Sequence, residues 1–337
     1  MGRRERQFSW GVMVIMLAVG ACIMFFESSL QLHSSPEKRD IHNRELELLM
    51  DTLHSRVDRF PGDTLEVDET KPSWRPWRGD PQGSVCLNYK NRFGRGLTPV
   101  LLVSIPCSGS TWLRYLLEGA TGFFTGSLYN DTLLYDAGFL GEKDGMHGGR
   151  TLVQRTHGTS FYLTDMHDLQ DRYEHVDPDL PTILLLRDPA RAIISYWKMF
   201  NLEGSNKHVE EIPESRFEGE DFRSFVAEMT LLWEELATDR LLWCRGPLHV
   251  IHYGDLVQDP MRELRQVLRF LRVPEDEGRL ACVASHMRGS FKRNSSTHFD
   301  PFIMDEKLRF TNAVGRVNRL LRLLDYPLLS QDAGFSS

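Results

Sequence analysis

The chain has 337 residues, of which 41% are hydrophobic, 10% aromatic and 26% charged; 40 Lys+Arg against 47 Asp+Glu give a formal charge of −7. This composition supplies ample apolar surface for one large domain or two ordinary ones, and it excludes wholesale disorder, collagen-like repeats and low-complexity architecture. A net acidic chain is a poor generic nucleic-acid binder, so no nucleic-acid partner is expected and any affinity for anions must come from local placement of basic groups.

Residues 8–26 form a nineteen-residue run without a charge. As a helix it would be about 28 Å long, close to the thickness of a bilayer's hydrocarbon core. Arg3, Arg4 and Arg6 precede it and Glu27 follows. The positive-inside rule then leaves residues 1–7 as a cytoplasmic tail and puts the remainder on the far side, as in a single-pass type II signal anchor. A cleaved signal peptide is the rival, but its apolar region is shorter, about 7–15 residues. Val19-Gly20-Ala21-Cys22 hints at lipoprotein cleavage, yet Ile23-Met24-Phe25-Phe26 continues the apolar run.

An anchored topology places the rest in an oxidising, glycosylating lumen. Two sequons agree, at Asn130 (Asn130-Asp131-Thr132) and Asn294 (Asn294-Ser295-Ser296). Asn130 is the better acceptor, because Asn294 abuts Lys292 and Arg293. Five cysteines without a CxxC pair exclude a zinc ribbon and are too few for a disulfide scaffold. A disulfide among Cys86, Cys107, Cys244 and Cys282 is open, with several pairings.

Residues 27–95 are polar, with large apolar groups concentrated in the Pro-Trp clusters at 71–77, and read as a stem or linker able to dock at its end. From residue 96 to about 330 the texture becomes domain-like. Apolar runs at 99–105, 151–156, 182–186 and 248–253 read as strands, and patterns at 111–120, 190–200, 222–241, 261–270 and 305–324 read as helices. Strands with continuous apolar character alternating with helices predict an α/β fold with a central parallel β-sheet flanked by helices. Ligands in such folds lie beyond the carboxyl ends of the strands.

Two segments carry chemistry. Pro106-Cys107-Ser108-Gly109-Ser110-Thr111-Trp112-Leu113 lies where the first domain strand hands over to its helix. Backbone N–H groups, a helix N-terminus and three hydroxyls can converge there on an anion, and Gly109 permits close approach. A Walker loop would need GxxxxGK[ST], which is absent. The plain alternative is a Ser-capped helix after a buried strand. The second segment, 182–189, ends a strand on Arg187, and Ser195 follows on the next helix. An Arg at a strand's carboxyl edge with a hydroxyl nearby can grip a second phosphate; the alternative is a surface Arg paired with Asp188.

Together these segments resemble the sulfotransferase family. The resemblance implies that the Pro-x-Ser-Gly-x-Thr-Trp loop (here Cys107 to Trp112) holds the 5′-phosphosulfate of 3′-phosphoadenosine 5′-phosphosulfate (PAPS), and that Arg187 and Ser195 hold its 3′-phosphate. Arg155-Thr156-His157 resembles the Lys-Thr-His of cytosolic members, which makes His157 the general base. His252-Tyr253-Gly254-Asp255-Leu256 resembles their Tyr-Glu-Asp-Leu element. Lys292 and Arg293 stand where a late basic segment contacts the 3′-phosphate. Residues 121–127, 138–142 and 289–293 are most similar to the WSC-domain-containing sulfotransferase-like proteins, whose cysteine-rich WSC modules are missing here. The implied activity is sulfation of a glycan at the Golgi membrane, with a sialylated acceptor; no HExxH motif or His/Cys cluster has metal-ligand spacing, so no required metal is expected.

One position departs from the family, which usually carries Lys or Arg where this chain has Cys107. A thiol cannot replace that cation, so Arg155, two residues before His157, is expected to supply the charge. Trp112 is expected either to stack on adenine or to pack in the core. Two other readings stay open: a manganese-dependent glycosyltransferase through Asp177-Pro178-Asp179, and an inactive nucleotide- or glycan-binding membrane protein, for which Cys107 argues.

Overall fold

A computed structural model of the chain describes residues 65–158, 176–201, 212–288 and 299–330. All of them belong to one compact unit, Arg56–Ser337. The expected signal anchor at 8–26, Lys292, Arg293 and Asn294 lie outside the described residues. No helix among the described residues is long and apolar enough to cross a membrane.

In chain order the elements are β1 (Glu66–Val67), β2 (Gly94–Arg95), β3 (Leu101–Val103), α1 (Ser110–Thr121), β4 (Gly126–Ser127), α2 (Thr132–Asp136), β5 (Gln154–Thr156), β6 (Thr182–Leu186), α3 (Pro189–Asn201), α4 (Glu220–Trp243), β7 (Leu248–His252), α5 (Tyr253–Gln258), α6 (Pro260–Phe270), α7 (Glu277–Ser285) and α8 (Met304–Leu323). Five strands form one sheet in the order β4-β5-β3-β6-β7. Every pairing in it is parallel.

Successive side chains of a strand point to opposite faces, and here both faces are covered. Leu102, Ile183, Leu185 and Ile251 join one core with Leu113, Leu117, Leu264 and Val283 of α1, α6 and α7. Leu101, Val103, Leu184 and Leu186 join the other with Trp233 and Leu236 of α4 and Val314 and Val317 of α8. Burial on both faces explains why β6 reads Thr-Ile-Leu-Leu-Leu without a polar alternation. A third cluster, including Trp197, Phe222 and Phe310, packs α3 on α4 and α8.

Most expected elements appear with boundaries shifted by a few residues. The run at 99–105 yields a strand only over Leu101–Val103, because residues 104–109 leave the sheet to build a turn. The 248–253 strand stops at His252, since Tyr253 opens α5. Strand β4 and helix α7 were not anticipated: Gly-Ser carries no apolar run, and α7 is a short helix capped by Asp276.

The stem boundary at 95 needs correction. From residue 65 the chain already packs on the fold. Trp77 is 4% exposed and stacks on His286, with ring centroids 5.5 Å apart. Residues of β1 and β2 pair antiparallel, and Cys86 forms a disulfide with Cys282 of α7. The Pro-Trp cluster is therefore in part a core element. Asp80, Cys86 and His286 bring ligand atoms within 4.8 Å of one another, but the Cys86 sulfur is spent in the disulfide.

The Cys86–Cys282 bridge joins residues 196 positions apart, so opening it releases a long loop of the unfolded chain. Cys86→Ser is expected to lower unfolding stability by about 2–5 kcal/mol. Urea denaturation with and without reductant checks this: reductant should lower the wild-type midpoint and leave the variant unchanged.

Candidate active site

The parallel register aligns the carboxyl ends of β3, β5 and β6: Val103 lies beside Thr156 on one side and Leu184 on the other. The residues that follow these ends therefore meet. They are the 104–111 turn after β3, His157 after β5 and Arg187 after β6, with Tyr253 following β7. The chain order reverses around β3, which puts the crevice of the sheet at this edge.

The turn after β3 is built for close approach. Cys107 has φ 62° and Gly109 φ 96°, both in the left-handed region. A Cβ on Gly109 would sit 2.5 Å from the Tyr253 ring, so glycine is required on conformational and steric grounds alike. Gly109 caps α1 with no side-chain hydrogen bond. The first N–H groups of the helix thus lack an intrahelical acceptor, and the helix dipole adds positive potential. Ser108 is fully buried, and its Oγ has no hydrogen-bond partner among the described residues. A buried orphan hydroxyl is costly unless a ligand or water completes it. This turn fits an anion.

Two guanidinium groups flank it. Arg187 Nη1 donates to the Cys107 carbonyl at 2.6 Å, and the group lies over the Tyr253 ring, 4.6 Å from its centroid. Ser195, half-buried, sits in the second turn of α3, the helix that follows Arg187. Arg155 Nη1 donates to Thr111 Oγ1 at 3.2 Å, and its Nη2 to Ser127 Oγ at 3.1 Å. Burial, followed by the Arg114 charge, lowers the Arg155 pKa, yet arginine remains cationic. The Arg155 guanidinium thus reaches the start of α1. The Cys107 thiol itself lies 3.7 Å from Met199 Sδ.

His157 is stacked on Tyr129, with centroids 4.8 Å apart and an interplanar angle of 24°. Its Nδ1 is 2.8 Å from the Ser104 carbonyl oxygen. A carbonyl only accepts, so Nδ1 carries the proton and the ring's lone pair is on Nε2. Burial first, then the Arg155 charge, pushes the His157 pKa down to about 3, while the Ser104 bond pulls it the other way. The imidazole is neutral, as a general base must be.

Trp112 is placed differently from the adenine-stacking expectation. It is 3% exposed, its Nε1 donates to the Met287 carbonyl at 2.7 Å, and Tyr253 meets it edge-on. A ring enclosed in this way offers no open face, and Trp112 is a core residue. The Asp177-Pro178-Asp179 segment precedes β6, at the opposite edge of the sheet. Asp179 is engaged by Arg245 through bonds of 2.7 and 2.8 Å. Asn130 is exposed, with φ 50°, directly before the α2 cap at Asp131.

A sulfotransferase domain family model matches residues 146–316. WSCD family members of Drosophila pseudoobscura and Aedes aegypti are similar. The first is 36% identical over 211 residues, covering 60% of this chain and 59% of the relative. The second is 34% identical over 224 residues, covering 64% and 63%. The chain thus matches about three fifths of the length of these curated relatives. Among solved structures, mouse sulfotransferase SULT7A1 complexed with PAP is similar with a TM-score of 0.38 and 14% identity, over 68% of this chain and 89% of that one.

The neutral, depressed His157 has a stability signature. The unfolded chain, where histidine titrates near 6.5, takes up this proton first as pH falls. The contribution of His157 is therefore complete above about pH 6.5 and is lost progressively toward pH 3. With a folded pKa of about 3, the loss at pH 5 is about 2 kcal/mol. Urea unfolding at pH 8 and pH 5 should show wild type losing about that much more than His157→Gln; equal losses would mean that the ring is not held neutral.

Proposed function

We propose for this chain, which belongs to the sulfotransferase domain family, transfer of the sulfuryl group of PAPS to a hydroxyl of a glycan, with sialylated glycoconjugates as the acceptor class. The observation that carries this reading is the bond from Arg187 to the Cys107 carbonyl. It joins a guanidinium-bearing strand end to a hydroxyl-rich helix start, as a nucleotide with phosphates at both ends requires. Similarity to the WSC-domain-containing group, over residues 121–127 and 138–142, supports the glycan acceptor.

PAPS supplies a sulfuryl group that an acceptor oxygen attacks in line while the bond to the phosphate oxygen breaks. In this reading the amides at the start of α1 and the hydroxyls of Ser108, Ser110 and Thr111 hold the phosphosulfate, with charge stabilisation as the main contribution to rate. Arg155 supplies the cation that family members carry at the Cys107 position. Neutral His157 accepts the acceptor's proton on Nε2. Arg187 and Ser195 hold the 3′-phosphate, with Lys292 and Arg293 completing that end.

An inactive nucleotide-binding protein is the second reading, favoured by Cys107. The bond from Arg155 to Thr111 argues against it by placing a cation at the same turn. The glycosyltransferase reading has less support, because the Asp179 carboxylate is tied to Arg245 at the far edge of the sheet. We place the domain in the Golgi lumen on a type II anchor, with Asn130 and Asn294 glycosylated. The Cys86–Cys282 disulfide and the exposed Asn130 support an oxidising, glycosylating compartment.

Thermal-shift measurements on the full-length chain should show stabilisation by 3′,5′-adenosine bisphosphate in the presence of EDTA; stabilisation only by UDP with manganese would favour a glycosyltransferase. Labelled sulfate transfer from PAPS to a sialylated glycan panel should be detectable and should fall about 100-fold or more in His157→Asn. Cys107→Lys should raise turnover only modestly. An inert wild type rescued by that lysine would establish the inactive reading.

A further inference from the structure

Behind the start of α1 lies a carboxylate shut off from solvent. Glu142 is 1% exposed and sits in the short turn Leu140–Lys143. Three donors from three parts of the chain converge on it. Arg114 of α1 bonds Oε1, Arg155 Nη2 of β5 lies 3.7 Å from that same oxygen, and the Asp131 N–H donates to Oε2 at 3.1 Å. The turn can come this close only because residue 141 is glycine: a Cβ there would lie 2.2 Å from the Thr125 carbonyl oxygen.

The two arginines are held unequally. Arg114 is fully buried and anchored by Thr125, with Nε on Oγ1 at 2.7 Å and Nη2 on the carbonyl at 3.0 Å. Arg155, besides Glu142, donates to Ser127 Oγ and, at its far end, Thr111 Oγ1, and lies over the Tyr129 ring at 5.3 Å from its centroid. The remaining buried carboxylate, Glu118, accepts from the Thr125 N–H and Oγ1 and from Asn91 Nδ2. Burial raises its pKa to about 7, so it offsets only part of the charge. Asp131 adds a further negative charge that acts on Arg155, and the guanidinium remains cationic at the side of Thr111.

We infer that Glu142 is a positioning residue for the sulfuryl-transfer site: it fixes the Arg155 guanidinium at the start of α1, where the guanidinium, always cationic, is able to act on an anion. What Arg155 acts upon rests on the proposed function; that Glu142 holds it there does not. The substituted cation at the Cys107 turn is thus an assembly of three residues, Arg155 with Glu142 and Ser127, rather than one lysine.

Removing Glu142 alone strands the buried Arg114 charge, so the test is made in an Arg114→Met background, with the full-length chain. Arg114→Met alone should keep kcat within about threefold. Adding Glu142→Gln should lower kcat about 10- to 100-fold, the scale set by misplacing a reacting group by about an ångström, with the KM for PAPS and the affinity for 3′,5′-adenosine bisphosphate within about threefold. Ser127→Ala should lower kcat in the same direction with the same unchanged KM. In an Arg155→Ala background neither change should cost more than about twofold, because partners acting through one group are non-additive. An unchanged kcat, an effect on KM alone, or losses that multiply with Arg155→Ala would overturn the inference.

A wild type that neither binds the bisphosphate nor transfers sulfate would sink the proposed function only. Positioning is then decided by crystal structures of Arg114→Met with and without Glu142→Gln. The Arg155 guanidinium should leave Thr111 Oγ1 in the double variant; a guanidinium still on Thr111 in both overturns the inference.

Discussion

Everything at the candidate site depends on the parallel pairing of β3 with β5 and β6. Because Val103 stands beside Thr156 and Leu184, all three strands end at one level, and whatever follows each of them is delivered to the same edge. A parallel sheet with both faces buried cannot slip its register without moving whole sets of apolar side chains to the wrong face. Leu101 and Val103 belong to one core and Leu102 to the other, so the packing that stabilises the fold also fixes the meeting of Arg155, Arg187 and the 104–111 turn.

The turn shows how that rigidity is used. Two successive departures into the left-handed region, at Cys107 and Gly109, turn the chain sharply into α1, whose first N–H groups have no acceptor within the helix. Arg187 then clamps the turn through the Cys107 carbonyl, a bond open to any residue type at that position. This explains how the loop tolerates a cysteine where the family usually has a cation. The shape of the turn comes from backbone and neighbours, whereas the Arg155 guanidinium reaches it from the adjacent strand.

Residues that terminate or follow apolar runs were readable: Arg187 after Thr182–Leu186, and His157 after the 151–156 run. A strand followed by a turn has few places to send the next side chain. Trp112 was ambiguous, because a tryptophan after a phosphate loop and a tryptophan on a core-facing helix look the same in one dimension; its contact with Met287, 175 positions away, decides it. The Pro-Trp cluster was taken for stem because no periodicity marks it, while Trp77 is buried through partners such as His286 and Tyr115 that lie far along the chain. Arg114 and Glu118 carry no signal as candidates, since charged residues in a helix and a loop read as solvated, and Glu142 is marked only as the end of the 138–142 segment that carries the resemblance.

From the sequence alone follow the α/β class, the strand–helix alternation, the glycine- and hydroxyl-rich turn, the basic strand end and the uncharged N-terminal run, because each is a local pattern of residue types with a local physical cause. Only the tertiary structure decided that Cys86 pairs with Cys282, that the Arg155 guanidinium bonds Thr111, and that Glu142 stands behind it. Those are contacts between segments tens to hundreds of residues apart, and only packing determines which buried charge finds which partner.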